Sequence, residues 1–143
     1  MTTALYEKDF YSWALGQANL LRNEDYTELD IDNLVEEIEA MAKRDRRELF
    51  NRLKIILMHL LKWKYQPSHR SKSWMDTLDE QRDEIDTLLD DSPSLRRELP
   101  DLVVKAYPKA IIKAIKDTGL ASDAFPPRCE WTIEQILDPN WLS

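Results

Sequence analysis

From Ile31 to Tyr65 the chain contains neither glycine nor proline, the residues that most readily end a helix. The second half of this stretch, Leu49-Phe-Asn-Arg-Leu-Lys-Ile-Ile-Leu-Met-His-Leu-Leu61, is apolar on most sides of a helix and carries one histidine, His59, in its greasiest turn. A helix of that kind must sit at the centre of a fold, because no single face can be turned to water. Asp45 with Glu48 makes a D-x-x-E capping pattern that allows a break. The preferred reading is one long helix over 31–65, kinked around Ala42–Arg46.

The elements around this spine are also read as helices. Phe10, Trp13, Ala14, Gln17, Leu20 and Leu21 share one face of a helix over 6–22. Ile31, Leu34, Val35, Ile38, Met41 and Ala42 form the expected buried stripe of the next helix, which starts at Asp30 or Asp32. Gln66-Pro67-Ser68 ends the spine, since proline cannot donate a helical hydrogen bond and pushes its predecessor out of helical space. Ser71 or Ser73 restarts a helix whose buried side carries Trp74, Leu78, Gln81, Ile85, Leu88 and Leu89. Ser92-Pro93 opens the next helical segment, with Leu95, Leu99, Val103, Ala106, Ala110, Ile111, Ala114 and Ile115 as its stripe. Pro100 and Pro108 are expected to kink it or cut it into pieces. Gly119 suits the left-handed position past its end, and Thr132-Ile-Glu-Gln135 is a capping box for a short last helix. The fold class is therefore all-α: one domain over residues 1–143, a bundle of about four or five helices around the long central one.

Composition removes several function classes. Only 2 of 143 residues are glycine, and no G-x-G-x-x-G or Walker loop is present, which argues against a phosphate-binding loop. A single cysteine, Cys129, excludes an intramolecular disulfide and a cysteine-rich zinc knuckle. Its neighbour Arg128 is a charge of the kind that lowers a thiol pKa, but one adjacent charge does not make a reactive cysteine. The N-terminus lacks a basic flank and an apolar signal core, and the longest apolar run, 55–61, is interrupted by His59. A cytoplasmic protein with no membrane partner is the expectation.

The net charge of −7 is unevenly spread. Lys43–Lys72 holds ten basic residues and two acids, whereas 24–39 holds eight acids and no base, and 76–91 eight acids and only Arg82. Acidic blocks on both sides favour a basic helix neutralised by its neighbours over a nucleic-acid face. Arg44, Arg46, Arg47, Arg52 and Lys54 also lack the interleaved aromatics of a single-strand binder.

At this point the residues resemble a known family. Asp9-Phe10-Tyr11-x-Trp13, Leu20-Leu21-Arg22 and Leu29-Asp30-x-Asp32-Asn33-Leu34-x-Glu36-Glu37-Ile38-Glu39 match it in order. So do His59-Leu60-Leu61-Lys62-Trp63-x-Tyr65-Gln66-Pro67, Arg70-x-x-Ser73-Trp74, Pro93-Ser94-Leu95, Thr118-Gly119-Leu120 and Phe125-Pro126. The chain is similar, nearly end to end, to the domain-of-unknown-function family 29, small helical proteins of cyanobacteria and other bacteria. The resemblance implies an all-helical fold and brings no activity, cofactor or substrate. Two departures stand out. Ala42 replaces a frequent glycine, which favours a continuous helix, and Pro100 and Pro108 put the family's long fourth helix in question.

Candidate site residues cluster at the end of the spine. His59 needs partners for its ring nitrogens, and Glu36, Glu37 or Asn33 are candidates to supply one. A core histidine locking two helices is the favoured reading; an acid/base role is the other. His59 is flanked at helical spacing by Ile55, Lys62 and Trp63, none a metal ligand, and no Glu-x-x-His motif accompanies Glu36 and Glu37, so no metal and no cofactor are expected. Lys62, Trp63, Gln66, Arg70 and Trp74 are the candidate binding residues. They form either an anion or nucleotide pocket, with Arg70 stacked on indole or clamping a carboxylate (Glu36, Glu37 or Asp9), or a helix-corner lock. The lock is favoured.

The leading functional expectation is a non-enzymatic interaction or regulatory module that binds a protein partner or a second copy of itself through 43–72 and the Trp63–Trp74 corner. The runner-up is an enzyme on a phosphorylated or nucleotide substrate, with His59 as acid/base, Arg70 as anion clamp and Glu36 or Glu37 orienting His59. Nucleic-acid binding through 43–72 is the third reading.

Overall fold

The structure is a computed structural model that describes residues 2–143, with side chains from Leu5 onward. Among the described residues it has six α-helices and no strand: α1 Thr2–Lys8, α2 Phe10–Arg22, α3 Ile31–Tyr65, α4 Lys72–Asp91, α5 Leu99–Thr118 and α6 Ile133–Leu137. The chain is all-α around a long central helix, and α3 runs through Asp45 without a break. Packing groups the residues into two compact units, one ending at Arg44 and the other spanning Asp45–Ser143.

In the first unit the helix expected over 6–22 is divided at Asp9, whose carboxylate caps α2 by accepting from the Ser12 N–H at 3.1 Å. The end of α2 is a Schellman turn. Asp25 N–H donates to Leu20 C=O at 2.9 Å and Glu24 N–H to Leu21 C=O at 3.1 Å, with Glu24 in the left-handed region at φ 58°. The buried centre of the unit is polar. Trp13, Gln17 and Asp30 are buried together. The Trp13 indole N–H and the Asn33 amide both donate to Asp30 Oδ2, at 3.0 and 2.7 Å, and the Asp30 backbone N–H donates to Gln17 Oε1 at 2.8 Å. The Asn33 bond, aided by Trp13, holds the Asp30 carboxyl below the usual carboxylate range although desolvation opposes it. Tyr6 and Phe10 pack edge-on and tilted against Trp13, with ring centroids 4.6 and 5.5 Å away.

Of the apolar stripe expected to be buried on this part of α3, Leu34 alone leans inward. Ile31, Val35, Ile38 and Met41 are 55%, 49%, 63% and 58% exposed. The α3 residues that lean inward are Asn33, Leu34, Glu37 and Ala40, one helical face away, because the hydrogen bonds to Asp30 fix the rotation of the helix.

In the second unit the apolar half of α3 is the core. Leu49, Leu53, Ile56, Leu57, Leu60 and Leu61 are wholly buried. From α4 come Leu78, Arg82, Ile85 and Leu89, at steps of four, three and four that define one face. From α5 come Leu102, Ala106, Ala110 and Ala114. The three alanines, four residues apart and fully buried, present a narrow surface against which neighbouring side chains interdigitate.

Proline shapes α5 less than its sequence implies. Pro93 opens a 3-10 stretch, Pro93–Glu98, and Pro100 falls in the first turn of α5, where no N–H is required. Pro108 lies inside the helix, which nonetheless continues to Thr118. Pro108 and Val104, whose carbonyl loses its partner, are both exposed, and an exposed carbonyl costs far less to leave unpaired than a buried one. Gly119 caps α5 in the left-handed conformation (φ 74°), and Thr132 with Gln135 forms the capping box of α6.

Arg82 is buried and ties α6 down: its Nε donates to the Ile136 carbonyl at 2.9 Å and its Nη2 to Gln135 at 3.4 Å. The Ile136 carbonyl is one that a helix end leaves without an intrahelical partner, whereas Gln135 also accepts from the Asp138 N–H at 3.3 Å. Burial pulls the guanidinium pKa down, and Asp138 and Asp79 oppose the shift.

Candidate functional site

The corner after α3 brings together Lys62, Trp63, Gln66, Arg70 and Trp74, all in the second unit. Gln66 leaves helical space (φ −134°, ψ 61°) ahead of Pro67, a 3-10 turn spans Pro67–His69, and Ser71 caps α4 by accepting from the Trp74 N–H at 3.3 Å. Ser71, not Ser73, is thus the cap.

Two cations sit over two indoles. The Arg70 guanidinium lies 4.9 Å from the Trp63 ring centroid, and its Nε donates to the Trp63 carbonyl at 2.8 Å. Lys62 Nζ lies 4.7 Å from the Trp74 ring and 3.4 Å from Asp117 Oδ2. Gln66 Nε2 donates to the Thr118 carbonyl at 3.4 Å. The stacking expected for Arg70 is present, and its hydrogen bond goes to a backbone carbonyl in place of a carboxylate. The corner thus supplies donors to the C-terminal carbonyls of α3 and α5, where positive charge also suits the helix dipole.

His59 is buried, and its Nδ1 lies 3.0 Å from the Ile55 carbonyl one turn earlier. That contact fixes Nδ1 as the protonated nitrogen of the neutral ring. Desolvation lowers the imidazole pKa; Lys62 adds to the effect, whereas the Ile55 bond and Asp117 oppose it. Two of the three partners considered from sequence are engaged within the first unit. Glu37 accepts a short hydrogen bond from the Tyr6 hydroxyl, which pushes the Tyr6 pKa up to about 12, and Asn33 donates to Asp30. Glu36 is exposed.

Besides Lys62, three residues of the basic segment are paired with acid. Arg46 Nε meets Glu98 at 2.7 Å, Arg52 meets Glu48 at 3.0 Å and Glu84 at 3.6 Å, and Lys72 meets Asp76 at 2.8 Å. Cys129 is half-buried, and its thiol pKa is shifted upward in spite of the neighbouring Arg128. Burial raises it, Glu130 adds to the rise, and the bond to the Trp131 carbonyl only partly offsets both. Among the described residues no three of His, Cys, Asp and Glu converge as a metal ion requires, and no helix is long and apolar enough to cross a membrane. A groove of about 590 Å³ lies elsewhere, lined by Asp79, Asp83, Asp86 and Arg96 with Leu89 and Leu137 below.

A model of the domain of unknown function DUF29 matches residues 5–142. The chain belongs to this family. No curated protein and no solved structure matches it. The DUF29 match extends over the corner and over the uncovered stripe of α3 alike.

Three features of this DUF29 chain went unread in the sequence. The Trp13–Gln17–Asp30 knot was hidden because Asp30 looked like an ordinary N-cap. Arg82 looked like an isolated base in an acidic block; its four-three-four spacing with Leu78, Ile85 and Leu89 was the available signal. The third is the outer face of α5, where Val104-Lys105, Pro108-Lys109 and Ile112-Lys113 repeat every four residues and are all exposed.

Proposed function

We propose that this chain is a cytoplasmic, non-enzymatic protein-interaction module. The observation that carries the reading is the uncovered stripe of α3. Ile31, Val35, Ile38 and Ala42 recur at four, three and four residues, the seam spacing of helix-to-helix packing, yet all are exposed. Leaving such a contiguous apolar row in water is unfavourable, and rows of this kind mark interaction sites.

The other readings have less support. The imidazole of His59 spends its N–H on its own helix, and of the two carboxylates considered to orient it Glu37 is bonded to Tyr6 and Glu36 is exposed. Arg46, Arg52, Lys62 and Lys72 of the basic segment are each paired with an acid, which lessens the charge open to a phosphate backbone. The Trp63–Trp74 corner is read as a lock on helix ends that also presents the exposed Arg70 to solvent.

Quantitative affinity capture from the source cells tests the proposal, comparing the wild type with Ile38→Glu and Val35→Glu. A specific protein, with the untagged chain itself counted, should be retained by the wild type and lost by both variants. Identical retention by all three would reject the reading.

A further inference from the structure

The uncovered face of α3 and the outer face of α5 are built on the same plan with opposite charge. On α3 three of the exposed apolar residues are followed by an acid, Ile31-Asp32, Val35-Glu36 and Ile38-Glu39, whereas Met41 at the end of the face is followed by Ala42. On α5 each exposed apolar residue is followed by a lysine: Val104-Lys105, Pro108-Lys109, Ile112-Lys113. Val104 and Ile112 are 72% and 66% exposed, and Lys116 extends the basic flank one turn further. The stripes are similar in length, since ten residues of helix from Ile31 to Met41 span about 15 Å and eight from Val104 to Ile112 about 12 Å. We infer that the exposed Ile31–Met41 face of α3 docks on the Val104–Lys116 face of α5 in a second copy of the chain.

The inference rests on the interaction reading above and names its partner. Each face accounts for what the other lacks. An apolar row with an acidic border needs an apolar row with a basic one, and this chain carries both. When two helices pack antiparallel, flanks on the same side of each stripe face one another. The acids that follow Ile31, Val35 and Ile38 on α3 then meet the lysines that follow Val104, Pro108 and Ile112 on α5. Pairing α3 with α3 in the same way would set Asp32, Glu36 and Glu39 against the same three acids, which repel. That contrast selects α5 as the docking surface.

One helix-to-helix contact of this length is small against the ~800 Å² per partner typical of stable complexes. The assembly is therefore drawn with both contacts made. The α3 face of each copy lies on the α5 face of the other, and a two-fold axis closes the pair.

Light scattering on the purified full-length chain tests this, with two charge-reversed variants, Glu36→Lys/Glu39→Lys and Lys109→Glu/Lys113→Glu. All four positions are exposed and helical, so circular dichroism should be unchanged. The wild type should be a dimer that weakens with added salt. Each variant alone should dissociate, with Kd raised roughly tenfold or more. Mixing the two variants should restore the dimer, because both contacts in the mixed pair again oppose lysine to glutamate. A monomeric wild type, a dimer indifferent to both reversals, or a mixture that stays monomeric would overturn the inference. If the wild type is monomeric while cell capture still depends on Ile38, the chosen partner fails and the broader interaction reading stands.

Discussion

The Trp13 indole N–H and the Asp30 carboxylate meet at 3.0 Å in the buried centre of the first unit, and this pair fixes which face of α3 turns inward. Trp13→Phe keeps most of the packing and removes the donor. A hydrogen bond to a charged group contributes about 1.5–3 kcal/mol, so urea denaturation should report a loss of that order for the segment it governs. Trp13→Phe with a denaturation midpoint equal to that of the wild type would contradict the role given to the bond.

Glu24 occupies a left-handed conformation at the end of α2, where a side chain is strained and glycine is not. Glu24→Gly should stabilise the protein by about 0.5–1 kcal/mol. Thermal denaturation would show a small rise in midpoint. A fall would mean that the Glu24 side chain makes an interaction outweighing the strain.

Removing the Arg82 guanidinium leaves the buried Ile136 carbonyl without its donor. Arg82→Met should cost about 1–3 kcal/mol. The loss should be centred on α6, and the emission of Trp131 and Trp141, which pack edge-on nearby in sequence, should shift toward that of solvated indole. Loss of stability without any change in tryptophan emission would place the role of Arg82 elsewhere.

The lowered pKa of His59 has a definite sign in the pH dependence of stability. The folded state binds the proton less readily than the unfolded chain, whose imidazole titrates near ~6.5. The contribution is therefore fully present above ~6.5 and lost as pH falls from there through the folded-state value. His59→Gln should remove the part of the slope just below pH ~6.5 and leave the carboxylate-driven loss near pH ~4 intact. Equal slopes in the two proteins between those values would show that His59 does not titrate differently on folding.

Arg70 is exposed, so its stacking on Trp63 and its bond to the Trp63 carbonyl together should be worth at most about 1–1.5 kcal/mol. Arg70→Ala should lower the melting temperature slightly and leave any self-association unchanged. A large loss of binding with little loss of stability would make the corner a recognition site in its own right.

The architecture was legible because its signals are local. Ser71 before α4, Thr132 with Gln135, Gly119 after α5 and the proline after Gln66 each act within one turn, and all fall where their chemistry places them. Pro108 misled because the cost of an interior proline depends on whether water can reach the freed carbonyl, and exposure is a tertiary property. The stripe of α3 misled for a related reason. Periodicity identifies a face that wants a partner, but not whether that partner belongs to the same chain. The corner residues were found by their composition, whereas their partners, Asp117 and Thr118, lie some fifty positions away and follow only from packing.

The buried alanines at 106, 110 and 114 and the exposed lysines at 105, 109 and 113 form two rows about 100° apart around α5, one turned to the core and one to solvent. Saturation mutagenesis along this helix should trace a wave with the helical period. Its troughs would fall at the alanines, where even one added methylene has nowhere to go. Its crests would fall at the lysines, where a monomer's folding is indifferent to substitution and only assembly keeps score.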